Sequence, residues 1–122
     1  MTETPMGWYV TFRLKPGQAD AFRRIADGVS TAVEKTEPGT LFYQWFLSED
    51  EKTGHCSMWF DGQASALKHV TGVAPNQHLP KLLEVSQIER FDVFGKASPD
   101  LANILAAFPV TSRNAHVVGF DR

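Results

Sequence analysis

His69 is the residue of this sequence whose type and position best suit acid–base chemistry. A histidine side chain has a reference pKa close to neutrality, so it can act as a general base or as a hydrogen-bond donor. On a helical wheel that starts at Ala64, His69 lies roughly 60° from Ala66, at the edge of the apolar arc of its helix. Two interpretations follow: the imidazole faces a cavity and acts on a ligand there, or it is partly exposed and binds a loop carbonyl.

The other histidines and the single cysteine do not form a recognisable metal site. His55, His78 and His116 stand at no metal-ligand spacing with another histidine or a carboxylate, and Cys56 alone cannot build a thiolate site. The sequence also has no glycine-rich phosphate loop after its first strand and no serine in a nucleophile-elbow context. We therefore expect neither a bound metal nor a phosphate-bearing cofactor.

Three amphipathic aromatic residues, Tyr43, Trp45 and Trp59, lie on predicted central strands. Each combines a large apolar ring with a polar tip, so these side chains could line a pocket and position an aromatic ligand. The alternative is that they belong to a plain core or to a dimer interface. One residue of strand register separates these roles.

The third predicted strand and the loop near residue 76 add further candidates. Met58 and Phe60 share one face of that strand with Cys56, whose thiol we expect to be buried and inert. In the loop, His78 could guard a cavity mouth together with Asn76, although helix capping explains Asn76 equally well. The candidate ligand-binding residues are therefore Tyr43, Trp45, Met58, Trp59, Phe60 and His78.

Residues 41–47 are apolar on both faces of a predicted strand. Side chains alternate across a strand, and a half-solvated antiparallel sheet would place polar residues on one of the two faces. We therefore expect helices to cover one face and a second subunit to cover the other, which makes the protein a homodimer. One face carries Leu41, Tyr43, Trp45 and Leu47, and the other carries Phe42, Gln44 and Phe46.

Composition is that of an ordinary globular domain. The 122 residues are 43% apolar and 21% charged, and the net charge of −2 comes without any basic cluster, so no nucleic-acid surface is expected. No apolar run is long enough to span a bilayer, and the first five residues do not resemble a secretory signal. A single cysteine fits a reducing cytoplasm. We expect one domain over residues 1–122, with a core at 8–95 and a C-terminal helix and tail at 98–122.

Hydrophobic periodicity predicts the element order β-α-β-β-α-β, which is the ferredoxin-like α+β arrangement with helices on one face of the sheet. An extra C-terminal helix starts at Ser98-Pro99-Asp100, where a capping hydroxyl precedes a proline. The predicted strands are 8–14, 40–48, 55–60 and 87–94, with a short last strand at 115–120. The predicted helices are 19–34, 62–70 and 99–108, together with a short helix that starts at 79, and Asp61 is the predicted cap of the helix at 62–70.

Several short motifs make the sequence resemble the antibiotic-biosynthesis monooxygenase family of dimeric α+β barrel proteins. They are Lys15-Pro16-Gly17, Glu37-Pro38-Gly39-Thr40-Leu41-Phe42-Tyr43, Trp59-Phe60, Ala66-Leu67 with His69, and Phe91-Asp92-Val93-Phe94-Gly95. The resemblance implies a homodimer whose sheets pack face to face. It also implies oxidation of phenolic or quinol substrates by molecular oxygen without metal or flavin, with His69 as the base.

One position departs from the family pattern. Members often carry a glutamate on the third strand, about eleven residues before the helix histidine, and this chain has Met58 there. The expectation is therefore that His69 lacks a glutamate partner. Two alternatives to a monooxygenase stay open: a non-catalytic or stress-related dimer that binds a small ligand, and a haem-binding or haem-degrading relative, which has less support.

Overall fold

The computed structural model describes residues 5–122, and it contains a mixed α+β fold built on one open sheet. The strands are β1 (Met6–Leu14), β2 (Thr40–Leu47), β3 (Thr53–Phe60), β4 (Ser86–Phe94) and β5 (Ser112–Asn114); the helices are α1 (Ala19–Thr36), α2 (Gln63–Val70), α3 (Leu79–Val85) and α4 (Pro99–Leu105), and Ala74–His78 forms a single π-helical turn.

The sheet has the strand order β2-β3-β1-β4-β5. The first four strands pair antiparallel, and β5 adds to β4 in parallel. This order and the chain order through β4 confirm the ferredoxin-like arrangement that the periodicity predicts. Within one chain the sheet is open and does not close into a barrel.

Helices cover one face of this sheet, and the core lies between them. Alternate residues of β1, from Met6 to Leu14, are buried, as the sequence pattern predicts for a strand with one apolar face. The longest helix, α1, supplies buried side chains at helical spacing, namely Phe22, Ala26, Val29 and Val33. The apolar stripe of α1 thus faces the sheet.

The β2 strand presents its two faces differently. Tyr43, Trp45 and Leu47 are half-buried against the core, whereas Phe42 and Phe46 are 42% and 53% exposed on the opposite face. Strand alternation predicts that Leu41 shares the face of Tyr43, but the structure differs. A bulge between Thr40 and Phe42 shifts the register with β3 and leaves Leu41 68% exposed.

The C-terminal region starts as the sequence predicts. Ser98 caps α4, with its side chain accepting a hydrogen bond from the Leu101 amide, and Pro99 occupies the first helical position. The helix itself ends at Leu105, a turn earlier than the apolar stripe suggests, and Phe108 follows it in a tight turn.

The prediction of a last strand at 115–120 is wrong. The strand is Ser112–Asn114, because backbone and side-chain groups of residues 111–114 bond to β4 and Gly95 and those of 115–120 do not. Thr111 and Phe91 exchange two hydrogen bonds, and the Asn114 amide side chain donates to the Val93 carbonyl at 3.0 Å. Residues 115–122 are exposed and belong to no helix or strand.

Two smaller expectations also differ. Gly62, not Asp61, is the N-cap residue of α2, and no side chain caps this helix; the Asp61 carboxylate instead accepts a hydrogen bond from the Ser65 hydroxyl. The stretch from Ala74 to His78, expected as loop, forms the π-helical turn that leads directly into α3.

Candidate active site

An apolar cavity lies between the sheet and the helices, and strand register builds its floor. In one row across the sheet Tyr43 pairs with Met58, and Met58 with Trp8. In the next row Trp45 pairs with Cys56, and Cys56 with Val10. Because pairing is antiparallel and in register, these side chains point to the same face and form a continuous surface.

Side chains from α1, α2, the π-helical turn and α3 form the roof of the cavity. The cavity has a volume of about 70 Å³ and is open to solvent at its mouth. Its lining is almost entirely apolar, and the polar groups that reach it come from His69, Tyr43, Trp45 and Cys56. The roof residues are Val29, His69, Val70, Ala74, Pro75, Leu79 and Leu82, with Phe108 from beyond α4.

A buried Glu37–His69 pair stands at the wall of this cavity. The Glu37 Oε1 atom lies 2.7 Å from His69 Nδ1, and the two side chains are only 4% and 5% exposed. The sequence-based expectation that His69 lacks a glutamate partner is therefore wrong. The glutamate comes from the turn after α1, not from the third strand, where Met58 lines the cavity floor.

The Glu-Pro-Gly turn holds Glu37 in this position. Its backbone amide donates to the Val33 carbonyl at 2.9 Å, and its Oε1 atom also accepts a hydrogen bond from the Thr40 hydroxyl at 2.9 Å. The turn packs closely on α2, because a Cβ atom at Gly39 would overlap the Ser65 side chain. This close approach brings the carboxylate within reach of His69.

The carboxylate of Glu37 is held in its ionised form. Burial by itself raises the pKa of Glu37, but the hydrogen bond from His69, the charge of that imidazole and the Thr40 hydroxyl together outweigh burial and lower the pKa below its usual value. The second oxygen, Oε2, is buried and has no hydrogen-bond partner among residues 5–122. The Glu37 carboxylate therefore depends mainly on His69 to offset the free-energy cost of burying its charge.

The geometry also assigns the tautomer of His69. An ionised carboxylate accepts hydrogen bonds only, so Nδ1 carries the proton that it donates to Glu37. In the neutral imidazole the lone pair then lies on Nε2. Three rings pack around the imidazole and fix its orientation: the ring centroids of Phe60, Tyr43 and Trp8 lie 5.3, 5.5 and 6.2 Å away. Such an arrangement can accept a proton from a bound molecule.

Tyr43 and Cys56 complete the polar part of the cavity. Burial raises the pKa of the Tyr43 hydroxyl and that of the adjacent Cys56 thiol far above their usual values. Both groups therefore stay protonated at neutral pH, and the Tyr43 hydroxyl, which contacts the Cys56 thiol, retains a proton that it can donate.

The structure brings most, but not all, of the predicted site residues together. His69, Tyr43, Trp45 and Met58 line the cavity, and Phe60 packs against His69 just beside it.

Trp59 and His78 lie elsewhere and do not line this cavity. Trp59 projects from the opposite face of β3, 6.0 Å from the ring of Phe94, because it alternates with Met58 and Phe60. His78 lies on the outer surface between α1 and α3, next to Gly28.

Glu37 is the site residue that sequence reasoning missed. One signal was available: a carboxylate at the C-terminal end of a helix faces the negative end of the helix dipole, which is an unfavourable place for it unless another group compensates. Glu37 occupies the C-cap of α1 and is buried. An acid in that position therefore indicates a specific partner.

Residues 5–122 show neither a metal-ion site nor a membrane-spanning helix. No group of three or more histidine, cysteine or carboxylate side chains is placed to hold a metal ion. No helix in this part of the chain is long and apolar enough to cross a membrane.

Comparison with known proteins identifies the family to which this protein belongs. Residues 6–72, more than half of the chain, match the family model of antibiotic biosynthesis monooxygenases. The protein belongs to this family, as the Glu-Pro-Gly and Ala-Leu-x-His motifs suggest. A sequence comparison with curated proteins finds no match.

Solved structures with the same fold include MupZ from Pseudomonas fluorescens. It superimposes with a TM-score of 0.82 at 20% sequence identity, over 98% of this chain and 96% of MupZ. Rv0793 from Mycobacterium tuberculosis gives 0.64 at 16% identity, over 78% of this chain and 97% of that one. A candidate antibiotic biosynthesis monooxygenase from Deinococcus radiodurans gives 0.62 at 14% identity, over 78% and 94%. At such identities the likeness establishes the shared fold alone.

Proposed function

We propose that this protein is a cofactor-independent monooxygenase that oxidises a small phenolic, quinol or polyketide-like aromatic molecule with molecular oxygen. The observation that carries the proposal is the buried Glu37–His69 pair at the wall of an apolar cavity. Family membership supports the reaction class. The substrate itself, as an electron-rich anion, supplies the electrons that oxygen needs.

The proposed role of the pair is to remove a proton from the substrate. His69 Nε2 accepts the proton of a bound hydroxyl, and the Glu37 carboxylate stabilises the imidazolium that forms. The anion then reduces oxygen: one oxygen atom becomes a carbonyl on a ring carbon, which loses its single hydrogen. The other oxygen atom leaves as water, which contains that hydrogen and the hydroxyl proton held by His69. The apolar lining keeps bulk water away from the reacting anion.

The remaining cavity residues would bind the ring and shape the site. Met58 and Trp45 provide floor surface, Phe60 holds the imidazole of His69, and the Tyr43 hydroxyl donates a hydrogen bond to a substrate oxygen. Neither Trp59 nor His78 lines the cavity, which makes both suitable positions for control variants of the site.

We further propose that the protein is a homodimer through the open face of its sheet. This face carries aromatic side chains, including Phe42, Phe46, Trp59 and Phe94, and no helix covers it among the described residues. An apolar face of this kind is typical of a subunit interface. We also propose one domain over the whole chain and, from the single cysteine, a cytoplasmic location.

The competing function is a dimer that binds a small ligand without turnover. The structure offers this reading less support, because a buried carboxylate–imidazole pair costs desolvation free energy and a purely apolar wall would bind an aromatic ring without that cost. The pair is therefore better explained by proton transfer.

Oxygen consumption in the presence of a panel of quinols and anthrones tests the proposal. We expect the wild-type protein to consume oxygen with at least one panel member and His69→Ala to lose this activity, while His78→Ala retains it. Ligand binding by the wild-type protein without oxygen consumption, or equal activity in His69→Ala, would overturn the proposal.

A further inference from the structure

The indole N–H of Trp45 is a hydrogen-bond donor without an acceptor. Nε1 is buried and has no partner within the described residues. The ring cannot rotate to find one, since it stacks on Phe12 at 5.7 Å with an interplanar angle of 24° and meets the edge of Phe22 at 5.6 Å. A buried donor that the fold holds unsatisfied is unfavourable in the free protein, and a bound acceptor would relieve it.

A second donor lies beside the first. Trp45 is close enough to the Tyr43 hydroxyl to affect its pKa, but the geometry between the two groups does not make a hydrogen bond. The ring centroids of Tyr43 and Trp45 are 6.0 Å apart, and those of Tyr43 and His69 are 5.5 Å apart. The cavity therefore has two donors on its β2 side and the Glu37-backed imidazole on its α2 side.

The charge of the lining restricts the ligand further. No lysine, arginine, aspartate or glutamate occurs among the described residues that line the cavity. The ionised Glu37 lies behind His69, 2.7 Å from its Nδ1 atom, and would repel an anion while the imidazole is neutral. A carboxylate or phosphate entering this space would lose its hydration without gaining a cation, which is strongly unfavourable.

We propose that the cavity selects an electrically neutral, mainly apolar molecule and that Trp45 is its specificity-determining residue, donating the Nε1 hydrogen to a carbonyl, ether or hydroxyl oxygen of that molecule. This inference rests on the proposed function only for the location of the site, and it concerns binding, not turnover. A ligand oxygen near Trp45 would also lie within reach of the Tyr43 hydroxyl, so the two donors share one acceptor. The hydrogen-bond acceptor and the site of proton loss are then at different positions on the ligand.

Three probes of one shape separate hydrogen bonding from apolar burial and from charge: tetralin, 1-tetralone and tetralin-1-carboxylate. Their affinities are measured by isothermal titration calorimetry under nitrogen. For the wild-type protein we expect 1-tetralone to bind about tenfold more tightly than tetralin, as one neutral hydrogen bond predicts, and the carboxylate to bind more weakly than either.

Variants then assign the donor. We expect Trp45→Phe to remove the preference for the ketone over the hydrocarbon while keeping the affinity for tetralin within a factor of a few. Trp59→Phe, on the opposite face of the sheet, should leave the preference unchanged. Circular dichroism checks that both variants are folded.

A measurement on the wild-type protein guards against disturbance by the Trp45 substitution. In a ¹H–¹⁵N spectrum the Trp45 indole resonance should move downfield with 1-tetralone and not with tetralin. A ketone preference that survives in Trp45→Phe, an unmoved indole resonance, tight binding of the carboxylate, or no binding of 1-tetralone would each overturn the inference. If the wild-type protein consumed no oxygen, the proposed function would be overturned and these binding results would still stand. If the binding results failed, the inference would be overturned and the proposed function would still stand.

Discussion

Glu37 and His69, which lie 32 positions apart in the chain, meet in the protein interior with 2.7 Å between Oε1 and Nδ1. One residue ends α1 and the other lies in α2, so the fold itself assembles the pair. The carboxylate binds Nδ1 of the imidazole, and His69 lines the cavity. This relationship links a turn motif to a helix motif.

Replacing the carboxylate should reduce catalysis without removing the imidazole. In Glu37→Gln the side chain keeps its shape but loses the charge that stabilises a protonated His69, so we expect kcat/KM to fall by roughly 10²-fold or more. Steady-state oxygen consumption measures the change. The exposed Glu34, on the same helix, provides the matched control Glu34→Gln, which should keep wild-type activity. Unchanged activity in Glu37→Gln would contradict the proposed role of the pair.

The same pair should make stability depend on pH in the acid range. The pKa of Glu37 is lower in the folded protein than its ordinary value of 4.5, so the folded state is stabilised when this carboxyl is ionised. That contribution is fully present above the unfolded-state pKa, and it is lost as pH falls below about 4.5 through the folded-state pKa.

Urea denaturation at a series of acid pH values tests this dependence. We expect the free energy of unfolding to fall less steeply with decreasing pH in Glu37→Gln than in the wild-type protein, whereas Glu34→Gln should follow the wild-type curve. Parallel curves for wild type and Glu37→Gln would show that the pair contributes no pH-dependent stability.

The open face of the sheet should hold two copies together. Phe46 is 53% exposed there in the single chain, so Phe46→Glu would place an uncompensated charge in the proposed interface and dissociate the dimer. Light scattering after size-exclusion chromatography gives the mass. Leu83 is similarly exposed, at 45%, but lies on α3, and Leu83→Glu is therefore the control that should stay dimeric. A monomeric wild-type protein would contradict the interface.

Docking of α4 should depend on its buried leucines. Leu101 is 0% exposed and belongs to the main core, so Leu101→Ala should lower the free energy of unfolding by about 2–5 kcal/mol through the cavity that it leaves. Ile104, on the same helix, is only half-buried, and Ile104→Ala should cost less. Chemical denaturation compares them, and equal losses would mean that α4 is not packed as described.

The strands and helices follow from local pattern because local forces determine them. The alternation in β1, the helical stripe of α1 and the Ser98 cap of α4 each reflect interactions within a few residues, and the structure confirms them. The bulge at Leu41 was not predictable, since it arises from pairing with β3.

The parts of the site that were missed depend on contacts distant in sequence. Alternation in β3 places Trp59 opposite Met58, but it cannot say which face meets the helices. Pairing of the last strand, Ser112–Asn114, is decided by β4. The Glu37–His69 pair similarly requires a turn and a helix to lie side by side. A local sequence pattern does not predict such a contact between distant segments.

The central claim to test is that the Glu37–His69 pair removes a proton from a molecule bound in the cavity. The probe is 4-nitrophenol, whose absorbance distinguishes phenol from phenolate, bound below its solution pKa in the absence of oxygen. We expect a phenolate spectrum with the wild-type protein and with His78→Ala, and a phenol spectrum with His69→Ala. A bound probe that stays protonated in the wild-type protein, or that ionises equally in His69→Ala, would contradict this claim.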